Sequence, residues 1–484
     1  MVKNELGITI KKEEDMPEWY SQVVLKSEMA ESSAVKGCAV IRPWGFAMWE
    51  QIQDTFNTYI KEAGVKNAYF PLFIPESFFQ READHVEGFA PEVAWIERKS
   101  DQEERLGIRP TSETIMYDSY RKWIQSHRDL PLRINQWANI VRWEVSDVKL
   151  FLRSREFLWQ EGHCVYETQE ECDKETLFFL NKYVQLSEEL LAIPAMSGKK
   201  SEKEKFAGAK YTLTFEHFMP DGKALQSGTS HNLGQGFAKS FGISYKGKDG
   251  EEHTPWQSSW GISTRLLGSV VMTHGDDKGL VLPPRLAPTQ VIVVPILFKN
   301  KPELSKKVLT QAQKLYDELK AAGIRVDIDD RAEISLGRRI NEWELKGVPL
   351  RLEIGPKDMQ KSQCVLAKRN DGEKIAVAQK ELVVSSQTLL DTIHNELFAK
   401  AKKFLDEKLV EKKTFDELKE EIKKGHFVLA PHCGNDSCED QIKSETGGVT
   451  TRCRPFDNDV IDEGDVCLYC AKPAKYKIIF ARNY

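Results

Sequence analysis

The chain has no long hydrophobic run. Its longest aliphatic-rich stretch, Val291 to Phe298, is far shorter than the ~20 residues that a bilayer-spanning helix needs. The N-terminus, MVKNELGITIKKEEDMPEW, has no apolar central segment and so is not a secretory signal. These two absences predict a cytoplasmic protein with no membrane association. Excess positive charge is missing as well: 69 Lys and Arg face 74 Asp and Glu, a formal net charge of −5. That excludes a protein that coats nucleic acid by bulk charge, though a local basic patch can coexist with an acidic total. There is no internal repeat and no low-complexity tract. Nor is there an even set of cysteines. Of the nine, Cys38, Cys164, Cys172 and Cys364 are scattered, while Cys433, Cys438, Cys453, Cys467 and Cys470 crowd near the C-terminus. In a reducing compartment such crowding predicts metal rather than disulfides.

What remains is an ordinary globular composition, 40% hydrophobic and 30% charged, over 484 residues. At about 150 residues per domain this suggests roughly three domains. We place them at 1–285, 286–400 and 401–484. In the first, helical patterns (Trp44 to Ala63, Ser112 to Ser126, Glu167 to Leu191) alternate with strand patterns (Asn135 to Glu144, Glu156 to Tyr166, Leu225 to Asn232). The short polar loop Val145 to Lys149 reads as a hairpin, which predicts an antiparallel sheet. A proline-rich linker, Leu282 to Pro288, opens the second region. There Val291 to Leu297, Ile324 to Asp329 and Leu350 to Ile354 read as strands. They alternate with an amphipathic helix carrying Leu304, Val308, Ala312, Leu315 and Leu319, and with a second helix around Trp343, an α/β pattern. The third region should open with one charged helix, Lys402 to Lys424.

The richest chemistry lies between Arg133 and Tyr166. Side chains two apart on a strand share a face. Arg142 and Glu144 would then point together, as would Arg153, Arg155, Phe157, Trp159 and Glu161 on the next strand. A sheet face of arginines, carboxylates and aromatic rings is costly as an apolar core. It suits a nucleotide: guanidinium forks for phosphates, a ring for the base, a carboxylate for its amino group. An exposed ion-pair ladder is the competing reading. Near the C-terminus, two close cysteine pairs, Cys433/Cys438 and Cys467/Cys470, suit a closed four-thiolate zinc site, with Cys453 left over.

The pattern Arg-x-Glu, loop, Arg-x-x-x-Phe resembles motif 2 of the class II aminoacyl-tRNA synthetases. Gly37 to Gly45 (GCAVIRPWG) resembles motif 1 and Trp260 to Arg265 (WGISTR) motif 3. Class I hallmarks are absent. Longer runs resemble the prolyl-tRNA synthetases of the archaeal and eukaryotic-like type: Arg109 to Thr114 (RPTSET), Phe157 to His163 (FLWQEGH), Gln226 to His231 (QSGTSH) and Asn341 to Arg351 (NEWELKGVPLR). The resemblance covers nearly the whole chain. It implies an α+β catalytic domain built on an antiparallel sheet, an α/β anticodon-binding domain and a small zinc-binding C-terminal domain.

By that resemblance, proline, ATP with Mg²⁺, and tRNA(Pro) are the substrates. Arg142 and Arg265 would be the catalytic arginines. Arg142 and Arg153 would hold phosphates, Phe157 and Arg265 would sandwich adenine, and Glu144 would read its amino group. Gln226, Thr229 and Ser263 would lie beside the ribose and phosphates. Thr111 and Glu113, two apart on an extended face, would take the proline ammonium. Trp159, His163, Phe206, His231 and Phe89 would wall the pocket. Glu344, Arg351 and Lys374 would contact anticodon bases. Pro43 would sit at a homodimer interface, and the carboxylate of Tyr484 would approach the active site. The gap from Phe157 to Trp256 has no room for the editing insertion of bacterial-type relatives, so no alanine editing in cis is expected. Alternatives are another class II synthetase (threonyl-, seryl- or histidyl-), a non-catalytic tRNA-binding paralogue, and a zinc-ribbon nucleic-acid-binding protein. The first would lack the longer runs, the second should have lost motif arginines, and the third would leave residues 1–285 unexplained.

Overall fold

A computed structural model describes residues 7–83 and 92–484. Phe89 lies outside the described residues. The N-terminal part is built on the strands Leu132–Val141, Glu156–Tyr166, Trp256–Ser263, Lys223–Gly234 and Tyr211–Phe218, each antiparallel to the next. Side chains alternate between the two faces of the sheet. On Glu156–Tyr166, Phe157, Trp159, Glu161 and His163 face one cavity, while Gln160 and Cys164 turn to the other side. That other side is covered by the helix Gln169–Glu189. Its start is fixed by a capping box, Thr168 with Glu171, which satisfies free backbone N–H groups. Phe179 of this helix stacks on Trp260 with ring centres 3.6 Å apart. The stack leaves no room beside it: a Cβ on Gly162 would lie 2.1 Å from the Trp260 ring.

Three local expectations are corrected here. The strand foreseen to reach Glu144 stops at Val141, and its partner starts at Glu156. Arg142, Glu144, Arg153 and Arg155 therefore lie in the connection, not on strand faces. That connection folds back on itself through Arg142 N to Arg155 O, 2.7 Å, and the paired backbones of Lys149 and Arg153, so its backbone groups are satisfied without extending the ladder. Thr111 and Glu113 do not share an extended strand either. Glu113 opens the helix Glu113–Trp123, and the Thr111 hydroxyl donates directly to its carboxylate. Finally, Lys402 to Lys424 is not one helix. The helix Leu382–Lys408 ends, Leu409–Glu411 forms a strand, and a new helix, Phe415–Lys423, starts at a Thr414/Glu417 capping box.

The middle part carries a five-stranded sheet in the order Val326–Ile328, Val291–Pro295, Leu350–Ile354, Gln363–Lys368, Lys374–Ala378. The first three strands are parallel and the last two are added antiparallel. The helix Pro302–Ala321 buries Val308, Ala312, Leu315 and Leu319 against it. Arg369 grips Asp276 with two 2.7 Å hydrogen bonds, tying this part to the N-terminal one. The C-terminal strands do not form a separate sheet. Tyr476–Asn483 runs parallel to Lys223–Gly234 and carries Phe427–His432 and Leu409–Glu411 outward, so the large N-terminal sheet continues into the C-terminal part. Among the described residues, no helix is long and apolar enough to cross a membrane.

Candidate active site

One cavity of about 480 Å³ opens on the pocket face of the large sheet. Thr111, Glu113, Arg142, Glu144, Phe157, Trp159, His163, Phe206, Gln226, Thr229, His231, Ser263 and Arg265 all line it. They come from segments spread over more than a hundred residues, brought together by the strand pairings. Arg153 does not line it. It is exposed on the connection, and its charge is felt at Arg265 only through space.

At one end the walls are aromatic and the polar groups are interlocked. Glu161 is buried and accepts hydrogen bonds from Ser112 Oγ (2.5 Å), Gln136 Nε2 (2.9 Å) and His163 Nε2 (3.0 Å). Burial alone would raise the Glu161 pKa, but these donors outweigh it and hold the carboxyl below its ordinary range. Burial likewise opposes charge on His163. The bond to Glu161 and the field of Glu113 prevail, and the imidazole pKa rises. Glu161 escaped the sequence-based choice of site residues, although its alternation with Phe157, Trp159 and His163 was a visible signal. His231 behaves oppositely. Its Nδ1 meets the Thr212 hydroxyl at 2.9 Å and its ring packs 4.8 Å from Phe206. Burial pushes its pKa down to about 3.

His217 and His274 are also buried and depressed to about 3. A base with a lowered folded pKa binds its proton in the unfolded chain first, so stability is lost as pH falls below 6.5 towards 3. Urea midpoints should therefore drop steadily between pH 7 and 4. A midpoint flat across that range would contradict the burial of these three rings.

The other end of the cavity is cationic. Arg142 projects near Phe157 and Trp159, its guanidinium carbon 5.9 Å from each ring centre. Arg265 begins the helix Arg265–His274 and donates to the carbonyls of Gln226 (3.0 Å) and Leu152 (3.2 Å). Burial and the nearby Arg142 push the Arg265 pKa down to about 10. Among the described residues, no carboxylate forms a salt bridge with either arginine. Two half-buried guanidinium groups that no described carboxylate contacts directly are poised for an anion.

Outside the cavity, Glu344 pairs with Arg351 (3.4 Å), Arg351 with Glu353 (2.9 Å), and Glu353 with Lys374 (3.0 Å). The three residues chosen from the sequence thus form one charged row, completed by Glu353. Leu350–Ile354 alternates, and that puts Arg351 and Glu353 on the same side.

In the C-terminal part, the Cys433 and Cys438 sulfurs are 3.6 Å apart, and those of Cys470 and Cys433 3.7 Å. A tetrahedral thiolate site with ~2.3 Å bonds has edges of about 3.8 Å, so the spacing fits zinc. The donor atoms of His432, Cys433, Cys438 and Cys467 also lie within 4.8 Å of one another, so His432 stands beside Cys470 as a second candidate for the fourth position. His432 was not foreseen; its Nδ1 accepts from Gly434 N at 3.1 Å. Cys453 stays apart, in a separate apolar cluster. Tyr484 does not line the cavity; its hydroxyl donates to Asp221 at 2.7 Å.

An antiparallel sheet presenting two arginines, with no salt-bridged carboxylate among the described residues, beside an aromatic-walled polar pocket is the class II aminoacyl-tRNA synthetase arrangement. The model of the class II tRNA synthetase core domain (G, H, P, S and T) matches residues 95–274, and the anticodon binding domain model matches residues 290–385. The prolyl-tRNA synthetase C-terminal model matches residues 415–484. The chain is 51% identical to the proline–tRNA ligase of Alkaliphilus oremlandii, over 98% of this chain and 97% of that one. It is 46% identical to proline–tRNA ligase 2 of Clostridioides difficile over the full length of both. With the Clostridium novyi proline–tRNA ligase it shares 48%, over 98% and 97%. The chain belongs to the proline–tRNA ligase family.

Proposed function

We propose that this cavity activates L-proline with ATP and passes it to the 3′ end of tRNA(Pro). The observation that carries this reading is a pair of arginines, without a salt-bridged carboxylate among the described residues, that share one cavity with an aromatic-walled polar end. The proline carboxylate attacks the α-phosphorus and pyrophosphate leaves. A ribose hydroxyl of the tRNA then attacks the adenylate carbonyl and AMP leaves. Class II synthetases use ATP with Mg²⁺, which neutralises phosphate charge. The protein's part is positioning and electrostatics. Arg142 holds the α-phosphate beside the proline carboxylate. Arg265 and Phe157 enclose adenine, Glu144 accepts from its amino group, and Gln226, Thr229 and Ser263 line the ribose and phosphate path. Arg153 reaches the outer phosphates from the rim. Thr111 and Glu113 take the secondary ammonium, and Trp159, His163, Phe206 and His231 shape the ring site. Aminoacylation of tRNA(Pro) with labelled proline tests the whole sequence; loading of another amino acid in its place would refute the pocket assignment.

The same reading has parts with their own tests. We assign 1–285 to catalysis, 286–400 to anticodon binding and 401–484 to the zinc unit. Arg351→Ala should raise the KM for tRNA(Pro) about tenfold, the scale of one lost base contact, and leave proline activation unchanged. An unchanged KM would remove the charged row from tRNA recognition. Zinc held by Cys433, Cys438, Cys467 and Cys470 would be structural, because four protein ligands leave no open position. Elemental analysis should find one zinc per chain, and Cys433→Ser should lose it together with a large fall in melting temperature. Zinc-free wild-type protein of normal stability would contradict this. Pro43, first residue of the helix Pro43–Glu62, would lie at a homodimer interface; an active monomer in sedimentation would exclude that. The enzyme would work in the cytoplasm and lack alanine editing in cis, so alanyl-tRNA(Pro) should accumulate when it is formed; its rapid hydrolysis by the purified enzyme would refute this.

A further inference from the structure

Glu216 is fully buried yet flanked by two cations. Lys200 Nζ lies 2.7 Å from one carboxylate oxygen, and Arg452 reaches the other with Nη2 at 2.8 Å and Nε at 3.2 Å. Lys200 and Arg452 are each only 3% exposed. Lys200 and Glu216 belong to the catalytic part and Arg452 to the C-terminal part. Two cations and one anion leave one net positive charge inside the protein. Such a buried cluster is weak support for stability, because desolvation cancels much of the attraction. Its value lies in where it is placed.

Thr212, Thr214 and Glu216 alternate on one face of the strand Tyr211–Phe218. Across the ladder they stand opposite His231, Thr229 and Gln226, which line the cavity. Glu216 therefore continues the polar row of the cavity floor by one step, beside Gln226. The Gln226 carbonyl accepts from Arg265. Thr214 Oγ1 lies 3.2 Å from both the Glu216 carboxylate and the Gly228 carbonyl, at the bulge between Gln226 and Gly228. The field of Glu216 supports the charge of Arg265, and that of Arg452 opposes it.

The C-terminal part is clamped to this region. Arg454–Pro455 pairs with Met196–Lys199, just before Lys200. A Cβ on Gly198 would lie 2.0 Å from the Arg454 carbonyl oxygen, so the approach is close. The Arg452 amide is itself fixed by the Ile479 carbonyl at 2.7 Å.

We propose that Arg452 is a positioning residue for the nucleotide: through Glu216 it sets the placement and field of Gln226 and Arg265, making the C-terminal part a component of the ATP site. This rests on the assignment of Gln226 and Arg265 to ATP. The test is steady-state proline-dependent ATP–pyrophosphate exchange with the full chain, reading the KM for ATP and the KM for proline separately. Arg452→Met should raise the KM for ATP about tenfold and change the KM for proline less than about twofold. Arg452→Lys, which keeps the charge, should recover most of that loss. In the apolar triple variant Lys200→Met/Glu216→Leu/Arg452→Met, no uncompensated buried charge remains, so folding should survive while the ATP defect persists. A wild-type KM for ATP in the triple variant, or equal rises in both KM values for Arg452→Met, would overturn the proposal. Arg265→Ala with an unchanged KM for ATP would instead bring down the site assignment beneath it.

Discussion

Arg142→Ala is expected to lower proline-dependent ATP–pyrophosphate exchange by about 10²–10³-fold, the effect of removing one preorganised charge from a developing transition state. The arginine sits near two aromatic rings, half-buried, with no salt-bridged carboxylate among the described residues. Burial lowers its pKa more than Glu144, Glu113 and Glu161 raise it, so the folded protein holds this cation at a cost. Removing it leaves no orphaned anion behind. The melting temperature should therefore stay the same or rise while activity collapses. That divergence separates a group kept for substrate from one kept for folding. Activity and stability falling together would mean that Arg142 holds the pocket rather than the phosphate.

Glu161→Ala should do the opposite and act first on the fold. The change strips three donors, Ser112, Gln136 and His163, of a shared buried acceptor. Breaking such a buried pair costs about 3–5 kcal/mol, read as a lower urea midpoint. The pH dependence carries the signature. The raised pKa of His163 supplies stability that is present below 6.5 and lost as pH rises through its folded value. The lowered pKa of Glu161 supplies stability that is present above 4.5 and lost as pH falls through its folded value. The contribution of the pair is thus greatest between these limits, and the difference between wild type and variant should peak there. Proline-dependent exchange should weaken in parallel, because His163 and Thr111 border the same space. A variant as stable as wild type would show that this network is not closed as described.

The site was legible where chemistry follows a two-residue period. Phe157, Trp159, Glu161 and His163 could be read as one face because the strand Glu156–Tyr166 is regular and its other face is covered by a helix. Legibility failed at the connection 142–155, where backbone hydrogen bonds, not periodicity, decide where the strands end. It failed again at Arg153, whose distance from the cavity depends on how that connection folds back. The donors around Glu161 come from Ser112 and Gln136, and the partners of Glu216 from Lys200 and Arg452. No local pattern announces pairings of that separation. The C-terminal part was legible as a cysteine cluster but not as a continuation of the catalytic sheet, since a strand such as Tyr476–Asn483 carries no mark of which neighbour it will join.

The central claim is that one cavity couples an anion grip to a proline pocket. Amino-acid-dependent ATP–pyrophosphate exchange, run with all twenty amino acids in parallel, tests it most directly. The account predicts strong exchange with proline and weak exchange with alanine, which fits the same walls with fewer contacts. No exchange with any amino acid, or strong exchange with a different one, would contradict it.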